Sequence, residues 1–312
     1  MIEVRNVSKS YGNFLALDGV SFKVNKGEIL GFLGPNGAGK TTTMRIITGY
    51  MPPTNGDCLI DGKSILEFPT EVKSKIGYLP ENPPLYTEFT VREYLKFVGK
   101  LKDLGKSDIE DRINYISEKC GIKDVLNKLI SKLSKGYKQR VGIAQALLHD
   151  PDVVILDEPT IGLDPVQIRE VRDLIKGLGG DHTVILSSHI LPEVSQVCDR
   201  ILIINKGKIV AEDTPENLTK KLKGQTRCNL ILKGDGEKVR EILTKYSDDM
   251  EISGSEELKI NFSLKSEEDL RPKIIRELVE AGGVDIYEFS TERLTLEDIF
   301  LHLVTEENEG RE

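Results

Sequence analysis

The sequence predicts an α/β fold built around a phosphate-binding loop, with a helical subdomain and a small α+β domain after it. Three observations predict this. First, Gly34-Pro35-Asn36-Gly37-Ala38-Gly39-Lys40-Thr41 fits G-x-x-x-x-G-K-[ST]. Ile29, Leu30, Phe32 and Leu33 before it read as a buried strand, and residues 42–48, starting at Thr42, read as helix. Second, Val153-Val154-Ile155-Leu156 is an unbroken apolar run, as expected of a parallel strand covered on both faces, and it ends in Asp157-Glu158. Third, beyond about residue 222 the order of elements becomes β-α-β-β-α-β-α, a ferredoxin-like pattern.

The loop carries its own chemistry. Its glycines let successive backbone N–H groups turn toward an anion without Cβ clashes. The helix after it adds unpaired N–H groups and the positive end of its dipole. Lys40 supplies a point charge for β- and γ-phosphates, and the Thr41 hydroxyl suits Mg²⁺.

Length and composition set bounds. A chain of 312 residues suggests two domains, and 38% hydrophobic with 30% charged residues allows a packed core under a soluble surface. The net charge of −8 argues against nucleic acid as the main partner. Cys58, Cys120, Cys198 and Cys228 are widely spaced with no C-x-x-C, so neither a zinc site nor a disulfide framework is signalled. They read as buried or free thiols of a reducing compartment. No signal peptide is expected. The apolar runs, such as residues 201–204, are far shorter than the roughly 18 residues of a membrane span. If the protein serves a membrane process, another polypeptide crosses the bilayer.

Along the chain, residues 2–4 and 20–24 read as short strands with Tyr11-Gly12 in a turn between them. The Tyr11 ring could stack on a purine, or be a partly buried turn aromatic. Pro52 and Pro53 end the first helix. Residues 56–60 with Asp61-Gly62 read as a hairpin, and residues 76–79 as a strand stopped by Pro80-Glu81-Asn82-Pro83-Pro84. Residues 86–150 read as helical, the helical subdomain running from about 84 to 150. Ser134 is a good N-cap for a helix whose first turns hold Lys135, Lys138 and Arg140. Cations there oppose the helix dipole, so either an anion normally sits at that end or the face is simply solvated.

In an open parallel sheet ligands sit beyond the carboxyl ends of strands. Asp157 is therefore placed to hold Mg²⁺, directly or through water, and Glu158 to polarise a water. A helix over residues 168–178, a strand over 183–186 and a hairpin over 201–211 turning at Lys206-Gly207 follow. Ser187-Ser188-His189 is expected just past its strand, where His189 could hydrogen-bond a terminal phosphate or the attacking water, or be structural. In the second part, strands are expected near 228–232, 251–252, 258–262 and 284–289, and helices over 238–246 and 267–281. Thr295 and Asp298 resemble a capping box for a final helix.

These motifs, in this order, resemble those of the ATP-binding-cassette (ABC) ATPases, specifically the nucleotide-binding subunits of ABC-type exporters. The likeness covers about residues 1–222 and rests on the phosphate loop, Leu133-Ser134-Lys135-Gly136-Tyr137-Lys138-Gln139-Arg140, the 153–158 run, Ile161-Gly162-Leu163-Asp164 and His189. The stretch Thr295-Leu296-Glu297-Asp298-Ile299-Phe300 looks like the C-terminal extension of a bacterial exporter branch. The resemblance implies a phosphate-loop NTPase cassette (residues 1–222) with an accessory domain (residues 223–312). It implies ATP and Mg²⁺, and two cassettes, a homodimer or another pairing, joined head to tail. Ser134 and Gly136 would then face the partner's γ-phosphate, Tyr11 would stack on adenine, and Thr41, Asp157 and Glu81 would serve the metal. Glu158 would be the general base, His189 the γ-phosphate sensor, and Asp164 would lie at the dimer seam.

The sequence departs from the family's pattern at two places. Lys135 and Tyr137 flank Gly136 where Leu-Ser-Gly-Gly-Gln is commonest, and Glu81 stands where glutamine is usual. The expected protein is a cytoplasmic ATPase, peripheral on the cytoplasmic face of the membrane, coupled through residues 81–89 to an integral-membrane permease. A soluble ABC ATPase of ribosomes or DNA, a phosphate-loop kinase and a nucleotide sensor without turnover are the alternatives.

Overall fold

The structure is a computed structural model that describes residues 1–218, 227–247, 249–254, 257–264 and 270–292. It divides into two compact units, Met1–Pro215 and Glu216–Glu312.

The first unit holds two sheets. β1 (Ile2–Tyr11), β2 (Phe14–Val24), β4 (Asn55–Ile60) and β5 (Lys63–Ser64) form an antiparallel sheet in the order β2-β1-β4-β5. Its first two strands are much longer than the sequence suggests. Register shifts along their pairing break the alternation that marks a regular strand. Asp61 and Gly62, both at positive φ, close the β4–β5 hairpin as the D-G pair requires.

The second sheet positions the chemistry. Its order is β10-β9-β3-β8-β7-β6, from β3 (Ile29–Leu33), β6 (Ile76–Leu79), β7 (Val153–Asp157), β8 (Thr183–Ser188), β9 (Arg200–Asn205) and β10 (Lys208–Asp213). Five strands run parallel, and β10 folds back antiparallel on β9. β3 and β7 are buried at every residue, which is why their sequences read as continuous apolar runs. Because these strands are parallel, the loops after β3, β6, β7 and β8 leave from one edge.

Helix α1 (Lys40–Ile47) buries Met44, Ile46 and Ile47 in one core with Val4 and Phe22 of the first sheet and Phe32, Ile155, Ile185 and Leu202 of the second. That core fixes the loop ahead of α1. After the short α2 (Pro69–Ser74), helices α3 (Val91–Leu101), α4 (Lys106–Lys119) and α5 (Lys135–Leu147) lie where helical spacing predicts them. α3 starts with a full capping box between Thr90 and Glu93. α6 (Pro165–Lys176) and α7 (Leu191–Ser195) complete this unit's labelled helices.

In the second unit, strands Arg227–Lys233, Met250–Ser253, Leu258–Ser263 and Asp285–Glu292 form an antiparallel sheet. Taken in chain order as one to four, they lie 4-1-3-2, the arrangement of a split βαβ unit. Helices Gly236–Thr244 and Arg271–Glu280 cover one face. Val239 and Leu243 from one, and Ile274 and Leu278 from the other, bury their i, i+4 pairs against Cys228, Leu230, Leu232 and Ile260. The final helix expected at Thr295 and Asp298 lies outside the described residues.

Candidate functional site

The phosphate loop joins β3 to α1, and α1 begins at Lys40 itself. Gly39 stands at its N-cap with φ 108°, and no side chain caps the helix. A Cβ on Gly39 would lie 2.6 Å from Leu17 Cδ2 and 2.9 Å from the Ala16 carbonyl, so both backbone angle and space require glycine. With no acidic residue in its first turn, α1 offers its free N–H groups and positive end to an anion.

Lys40 is buried. Its Nζ donates to the carbonyls of Gly34 at 2.8 Å and Pro35 at 3.2 Å, and stands 3.3 Å from Glu158 Oε1. Gly34, Pro35 and Ala38 shape the loop from behind, and Ala38 packs into the core. Asn36, Gly37, Gly39, Lys40, Thr41 and Thr42 line a cavity of about 440 Å³, together with Tyr11, Glu81 and Glu158.

Asp157 is the last residue of β7 and is fully buried. Parallel pairing of β7 with β8 sets it beside Ser187. Ser187 Oγ donates to Asp157 Oδ1 at 2.5 Å, and Thr41 Oγ1 donates to the same oxygen at 3.4 Å. Asp157 Oδ2 is buried and has no hydrogen-bond partner among the described residues. Burial pushes the Asp157 carboxyl up, the Ser187 and Thr41 hydrogen bonds pull it back down, and the nearby charges of Glu158 and Glu81 push it further up.

Glu158 follows in a left-handed conformation, φ 48°, which a non-glycine residue adopts only under constraint. Its N–H supplies that constraint, donating to Ser187 Oγ at 3.0 Å and meeting the Ser187 carbonyl at 3.2 Å. The turn swings the Glu158 side chain back over the loop. Its Oε2 lies 2.9 Å from His189 Nδ1, so one carboxylate touches both Lys40 and His189. β8 runs through Ser188, two residues further than the sequence suggests, so Ser187 and Ser188 belong to the strand and only His189 lies past it.

Sequence reasoning missed Ser187 as the group that holds Asp157 and Glu158 together. The signal is a hydroxyl ending the strand paired with the acid-bearing one, visible only once the pairing is known. It also missed Phe14 and Ile161 on the cavity wall.

Ser134 and Gly136 are not part of this cavity. Ser134 is exposed and caps α5, accepting from the Tyr137 N–H at 3.4 Å. With Tyr137, Arg140, Asp164 and Gln167 it lines a separate hollow of about 620 Å³. Gly136 is buried, and a Cβ there would run into the Gln167 carboxamide, so glycine lets α5 start close against α6. Asp164 caps α6, accepting from the N–H groups of Val166 at 3.0 Å and Gln167 at 2.9 Å. Of the three cations at the start of α5, Arg140 is engaged within the chain. It lies over the Tyr137 ring at 4.3 Å and 3.5 Å from Glu170. All four cysteines are buried and none is in a disulfide, and burial pushes the Cys58 and Cys120 thiols up to about 12.

Parallel strands with a glycine-rich loop after one, paired acids at the end of a second and a histidine after a third form an arrangement that can bind phosphate and activate water. Similarity to known proteins assigns the family. The ABC transporter family profile matches residues 17–161. The chain is 33% identical to the linearmycin resistance ATP-binding protein LnrL of Bacillus subtilis (strain 168), covering 97% of this chain and 98% of that protein. It is 34% identical to the bacitracin transport ATP-binding protein BcrA of Bacillus licheniformis, covering 97% of each. Among solved structures, a dimeric ATP-binding cassette in a post-hydrolysis state with ADP and Pi superposes with a TM-score of 0.64 at 26% identity, covering 69% of this chain and 99% of that one. An ATP-binding subunit of an ABC transporter superposes with a TM-score of 0.63 at 32% identity, covering 71% and 92%. The chain belongs to the ABC transporter ATP-binding proteins and is an ATPase. No helix among the described residues is long and apolar enough to cross a membrane.

Proposed function

We propose that this chain is the ATP-hydrolysing subunit of an ABC-type exporter and drives a separate membrane permease. The observation that carries this reading is the bridge made by Glu158, with Lys40 on one carboxylate oxygen and His189 on the other. ATP would lay its β- and γ-phosphates against the loop N–H groups and draw Lys40 from Glu158 to phosphate. Glu158, released on that side, takes the proton of the attacking water. His189 orients that water or the γ-phosphate. Tyr11 stacks on the adenine.

The residues present fit Mg²⁺. Thr41, Asp157 and Glu81 would hold it, and the orphaned Asp157 Oδ2 is the buried acceptor such an ion satisfies. When bound, the ion neutralises phosphate charge.

Two copies would pair head to tail, with Ser134 and Gly136 of one closing the site of the other and Asp164 near the seam. The N-terminus of α5, capped by the Ser134 hydroxyl and with no acid in its first turn, supports an anion there. The names of BcrA and LnrL, bacitracin transport and linearmycin resistance, support export of a toxic compound. The permease would meet residues 81–89 from the cytoplasmic face of the membrane. Tyr86 packs on Phe89 and Phe97 with ring centroids 5.7 and 5.4 Å apart, which gives that stretch a firm base. Residues 223–312 serve as an accessory domain.

Sedimentation of Glu158→Gln with ATP and Mg²⁺ tests the pairing. A shift from one copy to two, lost when Ser134 is changed to Arg, is expected. A species unchanged by ATP contradicts it.

A further inference from the structure

We propose that Phe14 forms a second aromatic wall at the base-binding end of the nucleotide cavity and makes it favour purine over pyrimidine triphosphates. The inference rests on the nucleotide reading above. Tyr11 and Phe14 are the last cross-strand pair of β1 and β2, separated only by Gly12 and Asn13. Gly12, at φ 57°, permits that tight reversal. Directly opposed residues of an antiparallel pair project from the same face. Both rings accordingly line the cavity that holds Lys40 and Thr41.

The two rings differ in how they are held. Tyr11 is tied down, its hydroxyl 3.1 Å from Met51 Sδ and Lys9 Nζ 5.6 Å from its ring centroid. Phe14 leaves 64% of its surface in solvent. A single exposed aromatic is ordinary on a protein surface. Here it faces a cavity already walled by a second ring. Ala16, the extra residue of the bulge between Leu15 and Leu17, is small and lines the same cavity. Side by side at the cavity wall, with the small Ala16 leaving room beside them, the two rings offer an apolar surface on which a flat base removes Phe14 from water. A purine covers more of that ring than a pyrimidine does, so the gain is larger for ATP and GTP than for UTP.

Calorimetric titration of the full-length protein with ATP, UTP and inorganic tripolyphosphate tests this. Phe14→Ala and Phe14→Leu are expected to raise the ATP Kd about tenfold, the UTP Kd about twofold, and to leave tripolyphosphate unchanged. Phe14→Tyr is expected to restore ATP binding. An unchanged ATP Kd in both variants, or an equal loss for ATP and tripolyphosphate, overturns the proposal. Lys40→Ala separates the two failures. If it weakens both ATP and tripolyphosphate while Phe14→Ala changes nothing, only the role of Phe14 falls. If the wild-type protein binds neither ligand, the nucleotide reading itself falls.

Discussion

His189 Nδ1 stands 2.9 Å from Glu158 Oε2, while the other oxygen of the same carboxylate stands 3.3 Å from Lys40 Nζ. Groups from two other segments of the chain thus converge on one side chain that is nearly closed to solvent. His189→Ala removes the contact that orients the carboxylate without touching the phosphate loop. The expected result is a kcat lower by about 100-fold with an ATP Kd changed by less than about threefold. Steady-state phosphate release alongside equilibrium nucleotide titration checks the split.

Lys40 stands 3.3 Å from Glu158, and in the proposed mechanism it turns to phosphate when ATP binds. Lys40→Ala is expected to raise the ATP Kd by at least about tenfold, since a charge-assisted contact worth more than about 1.4 kcal/mol is lost. The same change leaves Glu158 buried without its cation. The nucleotide-free protein should therefore melt earlier, and Lys40→Ala combined with Glu158→Gln should recover part of that loss. Thermal melts of the single and double variants check this.

Asp157 is costly to the empty protein. Burial raises its carboxyl above the unfolded value, so between those two values the folded chain holds a proton that the unfolded chain has released. Its contribution to stability is full below the unfolded value and is lost as pH rises through the folded one. Asp157→Asn keeps an acceptor for Ser187 and Thr41 but removes the charge. The variant is expected to melt higher than wild type without nucleotide at neutral pH, with the gap closing toward acid pH. It should also lose most of the extra stabilisation that Mg²⁺ gives in the presence of ATP. Melting curves across pH, with and without Mg²⁺ and ATP, check both parts.

Gly39 takes a φ of 108°, which strains a residue with a Cβ, and Leu17 and Ala16 leave no room for one. Gly39→Ala is expected to cost about 2 kcal/mol, which for a unit of this size is a fall in Tm of about 4–8 °C. Binding of tripolyphosphate should weaken in the same variant, because the loop N–H groups turn away.

The sequence displays contiguous features well. The phosphate loop is eight consecutive residues, and β7 is an apolar run ending in acids because both its faces are covered. The small domain was legible because its strands alternate cleanly around Leu230 and Ile260 and its helices keep i, i+4 spacing, as at Ile274 and Leu278. What depends on pairing was hidden. Ser187 holds Asp157 and Glu158 only because β7 and β8 run in register, and nothing along the chain marks which strand lies beside which. Phe14 reaches the cavity through a hairpin whose irregular register masks its length. β8 ends in Ser187-Ser188, polar residues that read as loop yet are buried in the sheet.

In the proposed mechanism Glu158 is the base that activates water over the phosphate loop. Single-turnover hydrolysis of ATP by Glu158→Gln, with ATP binding measured in the same preparation, decides that role. Binding close to wild type and a hydrolysis rate lower by at least about 100-fold are expected. Wild-type turnover in that variant would remove Glu158 from the role.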